Sequence, residues 1–298
     1  MAADNLRAAL IMVLSMALFT INDVLMKLLA GEVPLHQILL LRNGAATLVF
    51  LALAWRSGAF VRGLSGRDAR LALLRGLAEV ATAYFFLTAL FNMPLANVTA
   101  VLQSAPLMVM VAAALFLGEP IGWRRILAVV IGFSGVLLIL RPGPDGFNVF
   151  AIYVLISVMC LTVRDIVTRN ISKEAPTLLV TAITSGMVAI FFGAKGIGGE
   201  WIALDARSGG LVAGSALMVL GAYLASVQAM RLGEVSFVSP FRYTAMIWAL
   251  VLGYVVFGDW PTNLTLIGAG IVVGSGMYSF FREMRVTRRV PVPPVRNE

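Results

Sequence analysis

SMALFTINDVLMKLLAGEVP, residues 15–34, and SVMCLTVRDIVTRNISKEAP, residues 157–176, are the two stretches that decide the fold. Laid over one another without a gap, they match Ser15 with Ser157, Thr20 with Thr162 and Asp23 with Asp165. Glu32 matches Glu174, Pro34 matches Pro176, and Lys27 falls on Arg169. Polar identities inside apolar runs arise by chance less often than Leu on Leu, so the two stretches read as copies of one unit. Further on, Gly118-Glu119 matches Gly258-Asp259, and Tyr84 and Tyr223 fall at similar depths in their segments.

Working outward, both stretches sit in apolar runs of membrane-spanning length. About 20 apolar residues cross the hydrocarbon core. Ten such segments follow: 6–29, 35–55, 71–90, 96–117, 121–140, 147–167, 177–194, 211–230, 236–257 and 264–281. The first is too long for the apolar region of a cleavable leader. With 60% hydrophobic and 13% charged residues, the chain has too little polar surface for a soluble globule, which carries about 25% charged residues. Its mean hydropathy of +0.92 agrees. The single cysteine, Cys160, excludes an internal disulfide.

The net charge of +8 points to a membrane face rather than to nucleic acid. With the N-terminus on the cytoplasmic side, the inner segments hold 16 basic residues and the outer loops hold Arg141, Lys195 and Arg207. That asymmetry puts both termini inside, as the positive-inside rule requires. Trp55, Trp123, Trp201 and Trp260 fall at span ends and read as interface anchors.

Five spans per unit is an odd number, so the second unit enters the membrane from the opposite side. The expected fold is an all-α integral membrane protein, two inverted five-helix repeats around a central cavity. Its units are 1–142 and 143–285, with a cytoplasmic tail at 286–298 expected to be disordered. Inverted repeats are the architecture of secondary transporters that alternate access around a midplane site.

The chain resembles the EamA-type members of the drug/metabolite transporter superfamily. The residues that carry the resemblance are Asn22 and Lys27, Arg42, Pro106 followed by Gly118-Glu119, and Ser239-Pro240-Phe241-Arg242-Tyr243 followed by Gly258-Asp259. Asp259 stands where the second repeat more often has glutamate. The resemblance implies transport of small metabolites without a bound cofactor. It spans exporters of amino acids and importers of riboflavin, S-adenosylmethionine or sugars, so it does not select the cargo.

Ionisable groups at the membrane centre cost about 2.5–3.5 kcal/mol each and need a cavity or a partner. Asp23, Arg42, Glu79, Arg164, Asp165 and Arg242 are such groups. They are candidates for gate or ion pairs, against static pairing that fixes helix registry. Asp23 and Arg42 are expected in the outer half and the other four in the inner half. Pro106 and Pro240 are expected to bend spans four and nine. A substrate cavity is expected from Phe19, Asn22, Tyr84, Gln103, Ser104, Tyr223, Tyr243 and Trp248, apolar walls with a few polar handles. Gly270 with Gly274, and Gly210 with Gly214, are expected to pack helices closely within a monomer, a dimer being the alternative. His36 is expected at the interface.

No metal constellation, phosphate loop or nucleophile–base pair is evident, so no enzyme activity, metal or cofactor is expected. The partners are a small-molecule substrate and the bilayer, with no nucleic acid. The leading expectation is a secondary carrier exporting amino acids or related metabolites across the inner membrane. Import of a vitamin or nucleoside-like metabolite is the alternative within carriers, and an intramembrane enzyme or a scaffold the alternative outside them.

Overall fold

Half-helices and full helices follow the apolar runs closely. The computed structural model describes residues 2–118, 122–141, 148–172 and 174–287. In chain order these form α1 (Ala2–Leu28), α2 (Leu35–Arg56), α3 (Ala59–Arg62), α4 (Gly66–Asn92), α5 (Leu95–Leu102), α6 (Ala105–Leu117) and α7 (Trp123–Leu140). The second half supplies α8 (Val149–Asn170), α9 (Thr177–Lys195), α10 (Ala206–Leu232), α11 (Val235–Val238), a 3-10 turn (Ser239–Tyr243), α12 (Thr244–Phe257) and α13 (Asn263–Thr287). The described residues contain ten helical segments long and apolar enough to span a membrane. Span three is α4, span four is α5 with α6, span five is α7, span eight is α10, span nine is the 3-10 turn with α12, and span ten is α13. The segment 288–298 of the basic tail lies outside the described residues, as do 119–121, 142–147 and 173 of the loops.

Helix ends explain the matched residues of the two repeats. Pro34 and Pro176, both extended, lead into α2 and α9, and neither proline can continue a preceding helix. Gly118 and Gly258 close α6 and α12 with φ of 68° and 70°, a conformation that a side chain disfavours. Two spans begin earlier than hydropathy suggests. Span eight starts at Ala206 rather than 211, because Asp205 and Ser208 form a capping box that draws the polar Arg-Ser-Gly-Gly into the helix. Span three starts at Gly66 rather than 71, capped by Ser65 on the Asp68 N–H. Spans four and nine are not single helices. The first breaks at Gln103-Ser104, and the second passes through the 3-10 turn, each break beside its proline.

The pairing of helices displays the inverted repeat. Span one packs along span eight, and span three along span six. These pairs exchange places when the repeats are superposed. Span two packs on span seven and span five on span ten, each helix against its own counterpart. A pseudo-two-fold axis in the membrane plane therefore runs through those two contacts, whereas α5 packs on α12 on one side of it only. At the contact of spans five and ten the backbones nearly touch. A Cβ built on Gly135 would stand 2.7 Å from the Gly268 carbonyl oxygen, and one on Gly268 would stand 2.6 Å from that of Gly135. The expectation for Gly270 and Gly274 is corrected here. Both are exposed with no neighbour within 4 Å, and the close packing is made by Gly132, Gly135 and Gly268 instead. Of the other pair, Gly214 approaches Leu25 while Gly210 meets nothing.

The two membrane faces differ. Away from the termini, α5 and α12 join one apolar core that includes Leu90, Met93, Leu95, Val98, Val101, Met246 and Ala249. Lys27 crosses that seam. Its ammonium donates to the carbonyls of Leu90 (2.8 Å) and Met93 and lies 5.5 Å from the centre of the Phe257 ring. On the face that carries the termini, the other halves part: α6 packs on span six, whereas α11 and the 3-10 turn pack on spans one and ten. The bundle is thus closed on the far face and splayed toward the termini.

Candidate substrate cavity

Charged side chains from five spans meet where the bundle splays. Arg164, on span six, donates from Nη1 to Glu79 of span three at 3.0 Å, and from Nη2 to the adjacent Asp165 at 2.8 Å. All three side chains keep partial access to water, with 18%, 21% and 36% of their surface exposed. Their mutual pairing is what such a depth demands, since lipid offers no partner to a charge. Arg75, one turn before Glu79, donates to the hydroxyls of Thr168 (3.0 Å) and Thr184 (2.5 Å) and ties spans three, six and seven together.

Asp23 and Arg42 do not meet directly in the way a simple gate pair would. Buried Asn22 stands between them: its Nδ2 donates to Asp23 Oδ1 at 3.0 Å, and its Oδ1 accepts from Arg42 Nη1 at 3.3 Å. Arg42 Nε is buried without an acceptor among the described residues. The Tyr223 side chain of span eight lies within electrostatic reach of Arg42, Glu79, Arg75 and Arg164, so it joins the two charged groups into one wall. Its ring meets Phe19 edge-to-face at 5.2 Å and Phe50 at 6.4 Å. Phe19 and Trp248 also share the small apolar cluster around Met12 and Met16, and Trp248 Nε1 is buried without an acceptor among the described residues.

The break in span nine supplies the remaining polar groups. Gln103, at the break of span four, donates to the Arg242 carbonyl at 3.3 Å, so the two breaks face one another. That carbonyl is one that the 3-10 turn exposes, and a polar side chain answers it as the membrane interior demands. Arg242 is exposed as a residue, and its guanidinium feels the charges of Asp165 and Arg164 and the phenols of Tyr243 and Tyr223.

Other sequence candidates lie elsewhere. Tyr84 stacks edge-on with Phe85 in a cluster with Tyr153, under the Lys195 ammonium at 4.5 Å, at the end of span three away from the termini. The Ser104 hydroxyl is buried and spent on the Val101 carbonyl. Tyr243 turns toward span ten, its hydroxyl occupying the space a side chain on Gly276 would need. His36 packs against Trp201 with ring centres 5.3 Å apart. A groove of about 720 Å³ between spans nine and ten holds Tyr243, Met246, Gly270 and Met277 but no member of the charged wall, which fits a lipid-covered cleft. Lys27, Arg75 and Phe50 were not singled out as site residues. Lys27 alone of the three carries sequence signals, its match with Arg169 and its place in the family resemblance, whereas Phe50 is lost in an apolar run.

Ten spans in two inverted repeats, with charges and aromatic rings gathered between the spans, define a multi-pass membrane protein built as a transporter. The model of the EamA-like transporter family matches residues 6–141 and again 149–280, and the chain belongs to that family. It is similar to the S-adenosylmethionine uptake transporter of Rickettsia felis, 25% identical over 283 residues and 93% of both chains. It is also similar to the riboflavin transporter of Vibrio cholerae, 26% identical over 73% of each chain. The pseudopaline exporter CntI of Pseudomonas aeruginosa is 22% identical over 92% of this chain and 96% of that one. A solved crystal structure shares the fold with a TM-score of 0.64 at 17% identity, covering 94% of this chain and 98% of the other.

Proposed function

We propose that the protein is an alternating-access carrier of the inner membrane for small metabolites that bear an α-amino-acid group, amino acids and S-adenosylmethionine-like compounds among them. The observation that carries this reading is one wall holding both signs of charge beside aromatic rings. Asp23, Glu79 and Asp165 stand with Arg42, Arg164 and Arg242, next to Phe19, Phe50 and Tyr223. A zwitterion needs both signs, and an aromatic or sulfonium portion is suited by the rings. The positive-inside asymmetry puts the splayed face toward the cytoplasm. Asp23, Glu79 and Asp165 act with Arg42 and Arg164 as gate elements that exchange partners as the cleft closes, with Arg164 and Arg42 as the hubs.

The names of the relatives support the cargo class at different distances. Uptake of S-adenosylmethionine is named in Rickettsia relatives, whereas pseudopaline export is named in a relative of similar coverage. A carrier driven by its cargo gradient runs either way, so export of amino acids and uptake of S-adenosylmethionine are two uses of one cycle. Nothing in this reading requires catalysis. A panel of labelled S-adenosylmethionine, methionine, tryptophan, riboflavin and adenosine, tested for exchange in proteoliposomes, checks it. Exchange of the first three supports the reading. Exchange of riboflavin or adenosine alone would keep the carrier and discard the cargo.

A further inference from the structure

Arg242 has an unusual position: an arginine within a membrane-spanning segment, at a break in the helix, whose guanidinium has no direct partner among the described residues. The 3-10 turn Ser239–Tyr243 presents it, and the bond from Gln103 to its carbonyl holds that turn in place. Among the described residues its guanidinium donates no hydrogen bond. The nearest acid is Asp165, but Asp165 Oδ1 is already held by Arg164 Nε at 3.0 Å and Nη2 at 2.8 Å. Glu79 is likewise taken by Arg164. Arg75 spends its donors on threonine hydroxyls. Along the wall, the four cations Arg42, Arg75, Arg164 and Arg242 therefore face the three carboxylates Asp23, Glu79 and Asp165. Arg42, Arg75 and Arg242 each touch no carboxylate, and of these three only Arg242 donates no side-chain hydrogen bond among the described residues.

We propose that Arg242 reads the carboxylate of the cargo, an inference that rests on the carrier reading above. A guanidinium offers a planar fork of donors that fits a carboxylate with two parallel bonds. A single incoming carboxylate balances the wall, while Asp165, the acid whose charge Arg242 feels, is placed to accept the ammonium of the same α-amino-acid group. The Arg164 hub keeps Asp165 oriented and keeps it from closing on Arg242 when the cleft is empty. Arg242 is thus a specificity-determining residue rather than a gate partner.

The test uses the full-length protein in nanodiscs and two probe pairs, each differing by one carboxyl group. These are S-adenosylmethionine against its decarboxylated analogue, and tryptophan against tryptamine. Binding is measured for the wild type, Arg242→Gln and Arg242→Lys. The wild type is expected to prefer the carboxylated member of a pair by roughly 30-fold, the size of a charge-assisted hydrogen bond. Arg242→Gln is expected to remove that preference by weakening the carboxylated member alone, leaving the analogue's affinity unchanged. Arg242→Lys, which keeps the charge, retains part of it and controls for folding. Equal loss on both members, or a preference that survives Arg242→Gln, overturns the inference and leaves the carrier reading standing. A wild type indifferent to the carboxyl group in both pairs overturns it too. If, in addition, no compound of the panel exchanges, the carrier reading falls as well.

Discussion

Adding one methyl group at the crossing of spans five and ten should separate two helices that the same methyl elsewhere on span ten leaves alone. An alanine at position 135 would bring Cβ to 2.7 Å from the Gly268 carbonyl oxygen and 3.0 Å from Ile271 Cβ. Ordinary contact begins at 3.4 Å, so the backbones must part by about 0.7 Å, 3.4 less 2.7. Gly268→Ala runs into the Gly135 carbonyl at 2.6 Å and into Ile139. Both obstacles are backbone rather than a movable chain end, so rotamer change gives no relief. Overpacking of this kind costs about 1–3 kcal/mol. Gly270→Ala and Gly274→Ala meet nothing within 4 Å and gain the helix propensity of alanine, so they should be neutral or stabilising by up to ~1 kcal/mol. The double variant Gly135→Ala/Gly268→Ala should lose less than the sum, since the first methyl already opens the gap for the second. Unfolding by SDS titration in mixed micelles measures all five proteins. Equal stability of Gly135→Ala and Gly270→Ala would refute the close crossing, and additive losses would refute the shared gap.

Arg164→Met should be more damaging than Glu79→Gln, because it strands two carboxylates where the latter strands none; the double variant should recover about 1–3 kcal/mol in a mutant cycle read by the same titration. Lys27→Met should loosen the far-face seam, raising thiol labelling of Asn97→Cys from that face by roughly tenfold in a Cys160→Ala background, the scale of a lost hydrogen bond from a charged donor. Unchanged labelling would mean that the seam is held by its apolar core alone. The N–H and hydroxyl of Ser208 hold the Asp205 carboxyl below its usual range. The charged cap is then favoured in the folded state, and its contribution is complete above the unfolded pKa of about 3.9. Amide exchange in the first turn of span eight, corrected for intrinsic rates, should be flat from pH 5 to 8 and speed up only as pH falls below about 4. A slope near neutrality would remove Asp205 as the cap.

Much of the architecture is legible in the sequence, and the places where it is not share a cause. Apolar length alone reveals ten spans, and the odd number per repeat forces the inversion. Matched Gly118 and Gly258 owe their identity to a left-handed helix end, so they could be read as punctuation from the start. Rotation of a helix about its own axis is a different matter. A span that is apolar all round has no polar face to say which side looks inward. Gly270 and Gly274 have the small-residue spacing, yet Gly268, two residues away, faces the partner helix. Tyr84 and Tyr223 share a depth but not a direction, and only Tyr223 joins the charged wall. Glu79 stands one turn from Arg75 in the sequence, yet its ion pair runs across to Arg164 on another helix. The start of span eight was hidden because Arg-Ser-Gly-Gly reads as a loop until its cap is seen.

The central claim is that one cleft serves both faces in turn, and trans-stimulation in proteoliposomes tests it most directly. Labelled S-adenosylmethionine and tryptophan would be offered outside vesicles either empty or preloaded with the same unlabelled compound. A carrier that must turn its cleft around predicts faster labelled entry into preloaded vesicles, with a transient accumulation above equilibrium. Entry at the same rate into empty and preloaded vesicles, rising to equilibrium without an overshoot, would contradict alternating access and indicate an open pore.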